Sequence, residues 1–202
     1  KVLHPVAGRP MIGHVLAALD AAAADQTVVV IGDGMDGLAA AVAPHPTAVQ
    51  VDRLGTAHAV LAARDFIRAH PADDLLVLFG DTPLITPETL GVMLAARRSP
   101  ARPGVVVLGF EPTDPTPYGR LIRDGDGTLA SIVEAKDATP EQLAVTLCNS
   151  GVMVIDGARA LGWLERIGNA NAQGEYYLTD IVAITRADGA AAAVVIGDAD
   201  EV

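Results

Sequence analysis

Leu75–Leu84, LLVLFGDTPL, constrains the fold more than any other stretch of this chain. Leu75 to Phe79 is an unbroken apolar run, the pattern of a short strand buried on both faces. The run stops at Gly80 and sets a carboxylate, Asp81, at its carboxyl end, with Pro83 shaping the exit. In open α/β sheets ligands bind outside the carboxyl ends of the strands, near the point where strand order reverses. A carboxylate there suits a divalent metal with oxygen ligands, as phosphate chemistry requires. Taken alone, Asp81 would serve equally well as a turn or cap residue.

The flanking pattern alternates strand and helix. Pro10 suits the first turn of a helix to about Ala24, with Met11, Val15, Leu16 and Leu19 on one stripe. Thr27–Ile31 reads as a buried strand, and an Ala-rich helix follows to about Ala43. Ala48–Val51 reads as a brief strand carrying Gln50. A helix from Leu54-Gly55-Thr56 to about His70 comes next, with Thr56 as N-cap. Thr86-Pro87-Glu88 marks another helix start, and Arg97-Arg98 complements the dipole at its end. Gly104–Phe110 is a second buried strand. Tyr118–Arg123 and Leu129–Glu134 form a hairpin around Asp124–Gly127. Thr139 opens a short helix, Thr146–Asn149 and Val152–Asp156 are strands separated by Ser150-Gly151, and Gly157–Ile167 is helical with Trp163 packing it onto the sheet. A polar loop, a helix from about Leu178 to Arg186 and a strand at Ala191–Ile196 close the chain. This order predicts an α/β fold: a Rossmann-like, doubly wound, mixed but mainly parallel sheet with an antiparallel insertion.

Composition narrows the partners. With 202 residues, half of them hydrophobic but only 3% aromatic, Ala, Val and Leu must build one sizeable core. A formal net charge of −11 argues against nucleic-acid or anionic-membrane surfaces. A phosphorylated small molecule remains compatible where Mg²⁺ or a local cation supplies positive field. Cys148 is the one cysteine, so no intrachain disulfide forms and a reducing cytoplasm is the simple expectation. Its apolar neighbours mark it as a core residue rather than a nucleophile. The five histidines have no metal-ligand spacing, and no apolar run is long enough to span a membrane.

Three loops should converge beyond the early strands: Lys1–Arg9, Gln50–Thr56 and Gly80–Pro83. They bring a cation, an amide with a Gly-Thr turn, and a carboxylate. Gly55 permits close backbone approach, and a side-chain amide such as Gln50 can read the donor–acceptor edge of a base. Neither a Walker-type loop nor G-x-G-x-x-G falls within these three loops. Only two lysines, Lys1 and Lys136, stand against twelve arginines, and a lysine is a compact point charge toward phosphate. Later in the chain, Glu134 and Asn149 each close a strand, and a carboxylate and an amide there would suit sugar hydroxyls.

Together these motifs resemble the sugar-phosphate nucleotidyltransferases, and within them the N-acetylglucosamine-1-phosphate uridylyltransferase domain of bacterial bifunctional enzymes, a glycosyltransferase-A-like fold. The segments that carry the likeness are KVLHPVAGRPM, QVDRLGTAHAV, FGDTPLI, PYGRLIR, IVEAKDATPEQ, CNSGV and NANAQGEYYLTDI, in the family's order from Lys1 to about Asp180. The resemblance implies that Lys1 contacts phosphate and that Gln50, Gly55 and Thr56 bind uracil. Phe79, Gly80 and Asp81 would lie at the ribose and metal, with Asp81 a Mg²⁺ ligand and, with Lys1, catalytic. Gly119, Glu134 and Asn149 would contact the amino sugar, with Tyr177 nearby.

The implied substrates are UTP and N-acetylglucosamine 1-phosphate, and the product feeds peptidoglycan biosynthesis. Family members carry a Gly-rich loop, LAAGxGTRM, upstream of the lysine, and an asparagine metal ligand after the position of Val202. The expectation is therefore one uridylyltransferase domain over 1–202, truncated at both ends, with homo-oligomerisation through a further domain left open. Two alternatives stand beside it. One is another sugar-phosphate nucleotidyltransferase with a thymidylyl, guanylyl or cytidylyl donor; the other is a non-catalytic sugar-nucleotide-binding module.

Overall fold

A computed structural model describes residues 1–202. A minimal hairpin, β1 (Pro5–Val6) and β2 (Arg9–Pro10), leads into α1 (Met11–Ala21). Next come β3 (Val29–Gly32), α2 (Asp36–Ala41), β4 (Thr47–Gln50), α3 (Thr56–Ala62), α4 (Arg64–Ala69) and β5 (Asp74–Val77). Then follow α5 (Pro87–Arg97), β6 (Val105–Phe110), β7 (Arg120–Arg123), β8 (Leu129–Val133) and α6 (Pro140–Leu143). The chain closes with β9 (Cys148–Asp156), α7 (Ala160–Leu164), α8 (Ile181–Ala187) and β10 (Ala192–Ile196).

The sheet is mixed, with helices on both faces. β10 runs parallel to β6, whereas β9 lies antiparallel between β6 and β5, so β5, β6 and β10 share one direction. β7 and β8 extend the sheet as an antiparallel hairpin, and β3 pairs in parallel with β4 as a separate two-stranded ladder. Alternation along β6 and β9 divides the core. Val105, Val107, Met153 and Ile155 face Trp163, Leu164, Ile181 and Val182 of α7 and α8, while Val106, Leu108, Val152 and Val154 face Leu90 and Met93 of α5. A third cluster holds α1 and α2 over β3, through Ile12, Leu16, Val29, Ile31 and Leu38.

Several sequence expectations are met in detail. Thr86 caps α5 by accepting from the Thr89 N–H at 3.2 Å, with Pro87 at the first position. Thr139 and Gln142 form a reciprocal capping box on α6. Arg97, at the end of α5, is buried and reaches Asp156 at 2.7 Å and Asp74 at 3.6 Å.

Others are corrected. β5 is half-buried rather than covered on both sides, because its only ladder partner is β9. The two strands expected around Ser150-Gly151 are one nine-residue strand: Gly151 takes φ +88°, and the register against β6 shifts instead of the strand ending. The helix expected to run to His70 breaks at Ala63 into α3 and α4. Thr56 does not cap α3. Gly55 occupies the N-cap, and the Thr56 hydroxyl instead accepts from the backbone N–H of Leu178 at 2.9 Å.

Candidate active site

Strand register alone assembles the residues expected at the sugar. Arg120 is paired with Val133 on one side and with Cys148 on the other. One step out of those antiparallel ladders places Gly119 between Glu134 and Asn149, in one row across three strands. The Asn149 N–H donates to the Gly119 carbonyl at 2.8 Å, and a Cβ on Gly119 would meet Glu134 Oε2 at 3.3 Å. Glycine thus leaves the carboxylate room above the sheet. Asn149 stands at the second residue of β9 rather than closing a strand, as the sequence suggested; it reaches the row because β9 runs opposite to its central neighbours.

The residues expected at the nucleotide fall in two groups. Lys1 Nζ lies 2.8 Å from Asp81 Oδ2, so the first residue and the exit of β5 meet across 80 positions of sequence. That carboxylate raises the Lys1 ammonium pKa by hydrogen bonding first and by charge second, which keeps the cation protonated. The second group is a clasp. Gln50 Nε2 donates to the Gly55 carbonyl at 3.1 Å and stands 3.1 Å from His58 Nδ1. Across from it, the Tyr176 N–H donates to Leu54 O at 2.7 Å, and Tyr176 O accepts from the Ala57 N–H at 2.9 Å. Gly55 is required there: its φ is +114°, and a Cβ would sit 2.6 Å from the Tyr176 carbonyl oxygen.

Two bridges join these groups to the Gly119–Glu134–Asn149 row. Phe79 packs on Gly151, where a Cβ would collide with the ring, and the Gly151 N–H donates to Asn149 Oδ1 at 3.0 Å. The clasp segment continues through Tyr177 to Thr179, whose hydroxyl donates to Glu134 Oε1 at 3.3 Å. The cavity at Asp81, about 120 Å³, is walled by Thr82, Pro83, Leu84, Asp200, Glu201 and Val202. His58 and the Tyr176 backbone went unassigned in the sequence reading. His58 sits two residues beyond Thr56 in the first turn of α3, a spacing that offered the one hint.

A profile of MobA-like NTP transferase domains matches residues 1–125, more than half of the chain. The chain belongs to that family. The matched stretch holds Lys1, Gln50, Gly55, Thr56, Phe79, Gly80, Asp81 and Gly119; Glu134, Asn149 and Tyr177 lie beyond it. The bifunctional protein GlmU of Rhodospirillum rubrum is 57% identical over 201 residues, which cover all of this chain and 45% of that protein. GlmU of Paramagnetospirillum magneticum is 55% identical, with 44% of its length covered. The chain thus spans less than half the length of these relatives. A solved CMP:2-keto-3-deoxy-manno-octonic acid synthetase, complexed with CTP, superposes over 98% of this chain and 83% of its own with a TM-score of 0.70. At 16% identity that likeness concerns the fold alone.

Within the Gly119–Glu134–Asn149 row, Glu134 carries a shifted carboxyl. Burial pushes its carboxyl above the ordinary carboxylate range; Asp137 and Asp180 add to the rise, and the Thr179 hydrogen bond opposes it. The folded chain therefore holds this proton more tightly than the unfolded chain, so stability falls as pH rises from the unfolded to the folded pKa, and the penalty is fully present above the folded one. Glu134→Gln is expected to raise Tm at pH 7–8, with the gain shrinking as pH falls toward about 4.3, the ordinary glutamate value. Thermal melts across pH 4–8 check this. A gain that stayed constant with pH would assign it to something other than ionisation.

The donors present are carboxylate oxygens, which suit a hard divalent cation. No three His, Cys, Asp or Glu side chains cluster to hold an ion by themselves. Asp81 and Asp200 line one small cavity beside the Lys1 ammonium. One or two carboxylates, completed by phosphate oxygens and water, is how Mg²⁺ is usually held. No helix is long and apolar enough to cross a membrane.

Proposed function

We propose that the protein to which this chain belongs transfers a uridylyl group from UTP to N-acetylglucosamine 1-phosphate in the cytoplasm, releasing pyrophosphate. The observation that carries this reading is the path from the Gln50–Thr56 clasp, through the Leu178–Thr56 hydrogen bond and the adjoining Thr179, to the Gly119–Glu134–Asn149 row, with the Lys1–Asp81 pair at the neighbouring strand end. A base reader, a sugar reader and a phosphate-handling pair are what the reaction needs, and relatives named GlmU match over the whole length of this chain.

Gln50 has spent its amide N–H groups on Gly55 O and His58 Nδ1, which leaves its oxygen as an acceptor. That oxygen suits the imide N–H of a uracil. Glu134 and Asn149 hold the sugar hydroxyls and amide, and Gly119 keeps the floor low enough for the ring to approach. Asp81, with Asp200 nearby, would hold Mg²⁺, which when bound neutralises phosphate charge and aligns the phosphate oxygens. Lys1 then exchanges Asp81 for a phosphate oxygen. The sugar-phosphate oxygen attacks the α-phosphorus directly, and pyrophosphate leaves in line. No protein nucleophile takes part. Orientation of two bound reactants in this way is worth about 7–11 kcal/mol of barrier.

The full-length protein, given Mg²⁺, each of UTP, dTTP, GTP and CTP, and a set of sugar 1-phosphates, should release pyrophosphate fastest with UTP and N-acetylglucosamine 1-phosphate. A different preferred pair, or binding of UDP-N-acetylglucosamine without turnover, overturns the reading. Gln50→Ala should raise KM for UTP about tenfold, the worth of one or two hydrogen bonds, with kcat changed little. An unchanged UTP affinity removes Gln50 from the base site.

A further inference from the structure

Lys136 lies outside the sugar row, and no step described above uses it. Its Nζ donates to Gln173 Oε1 at 2.8 Å, and Gln173 Nε2 stands 2.9 Å from the Tyr177 hydroxyl oxygen. The next residue, Asp137, accepts from the Ala172 N–H at 3.0 Å, so two successive side chains after β8 pin this loop. Chemistry permits one direction for the hydrogen bonds. An ammonium only donates, so the Gln173 carbonyl oxygen must face Lys136. The amide NH₂ then faces Tyr177, and it too only donates. The Tyr177 oxygen is thereby engaged as an acceptor, and its own proton is left for a partner on the other side. Tyr177 is buried beside Glu134, and that burial, reinforced by Asp137, Glu134 and Glu175, keeps the phenol protonated at neutral pH.

We propose that Lys136 and Gln173 are positioning residues that fix Tyr177 as a hydrogen-bond donor toward the sugar half of the site. The site thereby favours a substrate presenting an acceptor there, such as an amide carbonyl, over one presenting a free ammonium. The inference rests on the uridylyl-transfer reading and deepens it.

The test uses the full-length enzyme with UTP and either N-acetylglucosamine 1-phosphate or glucosamine 1-phosphate. Gln173→Glu keeps the shape and the Lys136 contact but presents an oxygen to Tyr177, so the phenol turns its proton onto residue 173. In this variant KM for the N-acetylated substrate should rise about tenfold, the value of one neutral hydrogen bond. Its kcat, its KM for UTP and its Tm should stay near wild type, and the preference over the free amine should drop by the same factor. Lys136→Met should shift that preference in the same direction, and Lys136→Arg, which keeps a donor, should restore it. Combined with Gln173→Glu, Lys136→Met should cost nothing further in preference, as expected of residues in one relay. A Gln173→Glu enzyme with wild-type preference overturns the relay, as does a Lys136→Met enzyme that loses Tm and slows both substrates equally. A wild-type enzyme inactive with UTP and the N-acetylated substrate would instead overturn the functional reading itself.

Discussion

Asp81→Ala in the full-length protein is expected to lower kcat on the order of 10²–10³-fold, the scale on which removal of one preorganised charge-handling group acts. Asp81 follows β5, whose backbone is tied to β9 by an antiparallel ladder from Asp74 to Val77, so the carboxylate is presented by a held strand end. Its loss also frees Lys1, whose hydrogen bond to Asp81 is its contact in this structure. The freed cation can still reach phosphate, so the UTP Kd should change far less than kcat. Raising Mg²⁺ should recover little of the rate, because a single remaining carboxylate does not replace the pair. Steady-state kinetics with pyrophosphate detection across a Mg²⁺ series measure this. Near-normal rates at ordinary Mg²⁺ would remove Asp81 from the chemistry.

The second large effect is expected at Gly55. A φ of +114° with ψ of 178° is a backbone conformation nearly exclusive to glycine, and a side chain there carries about 1–3 kcal/mol of strain. Steric overlap adds to that figure. The new Cβ would lie 2.6 and 2.7 Å from the Tyr176 carbonyl oxygen and nitrogen, both of them backbone atoms engaged in the clasp. Gly55→Ala must therefore push Leu54–Ala57 away from Tyr176–Leu178. The variant is expected to melt several degrees lower and to bind both UTP and the sugar phosphate more weakly, since one segment serves both sides. Calorimetry with each ligand separates this from a loss confined to the nucleotide. If Tm fell while the Kd of the sugar phosphate stayed put, the clasp would not be shared. Gly34→Ala, at a positive φ with open space around the Cβ, serves as the control for strain without collision.

Much of the local structure was legible because it depends on near neighbours. Thr86-Pro87 and Thr139-Pro140 start helices through bonds that close within three residues. The unbroken apolar run of β6 is buried along its whole length, as such a run must be. β5 looked equally central yet ended half-buried, because burial depends on what lies on either side of a strand, and its neighbours come from elsewhere in the chain. Thr56 is a further case. A hydroxyl at the start of a helix has its own N-terminal amides within reach, but here the Leu178 N–H lies closer to hand, from 122 positions away.

The site divides along the same line. Residue types and loop positions named Lys1, Gln50, Asp81, Glu134 and Asn149, since amide, carboxylate and ammonium groups announce their chemistry wherever they stand, whereas Tyr177 entered only through the family resemblance. What the sequence by itself determined is this set of groups, the helix starts and the α/β class. Tertiary structure alone decided that β9 runs antiparallel between β5 and β6, that Gly119 lies between Glu134 and Asn149, and that Tyr176 closes on Gly55. Those facts rest on register and on contacts between distant segments. Their free energy comes from packing the whole core, and no short window of sequence contains it.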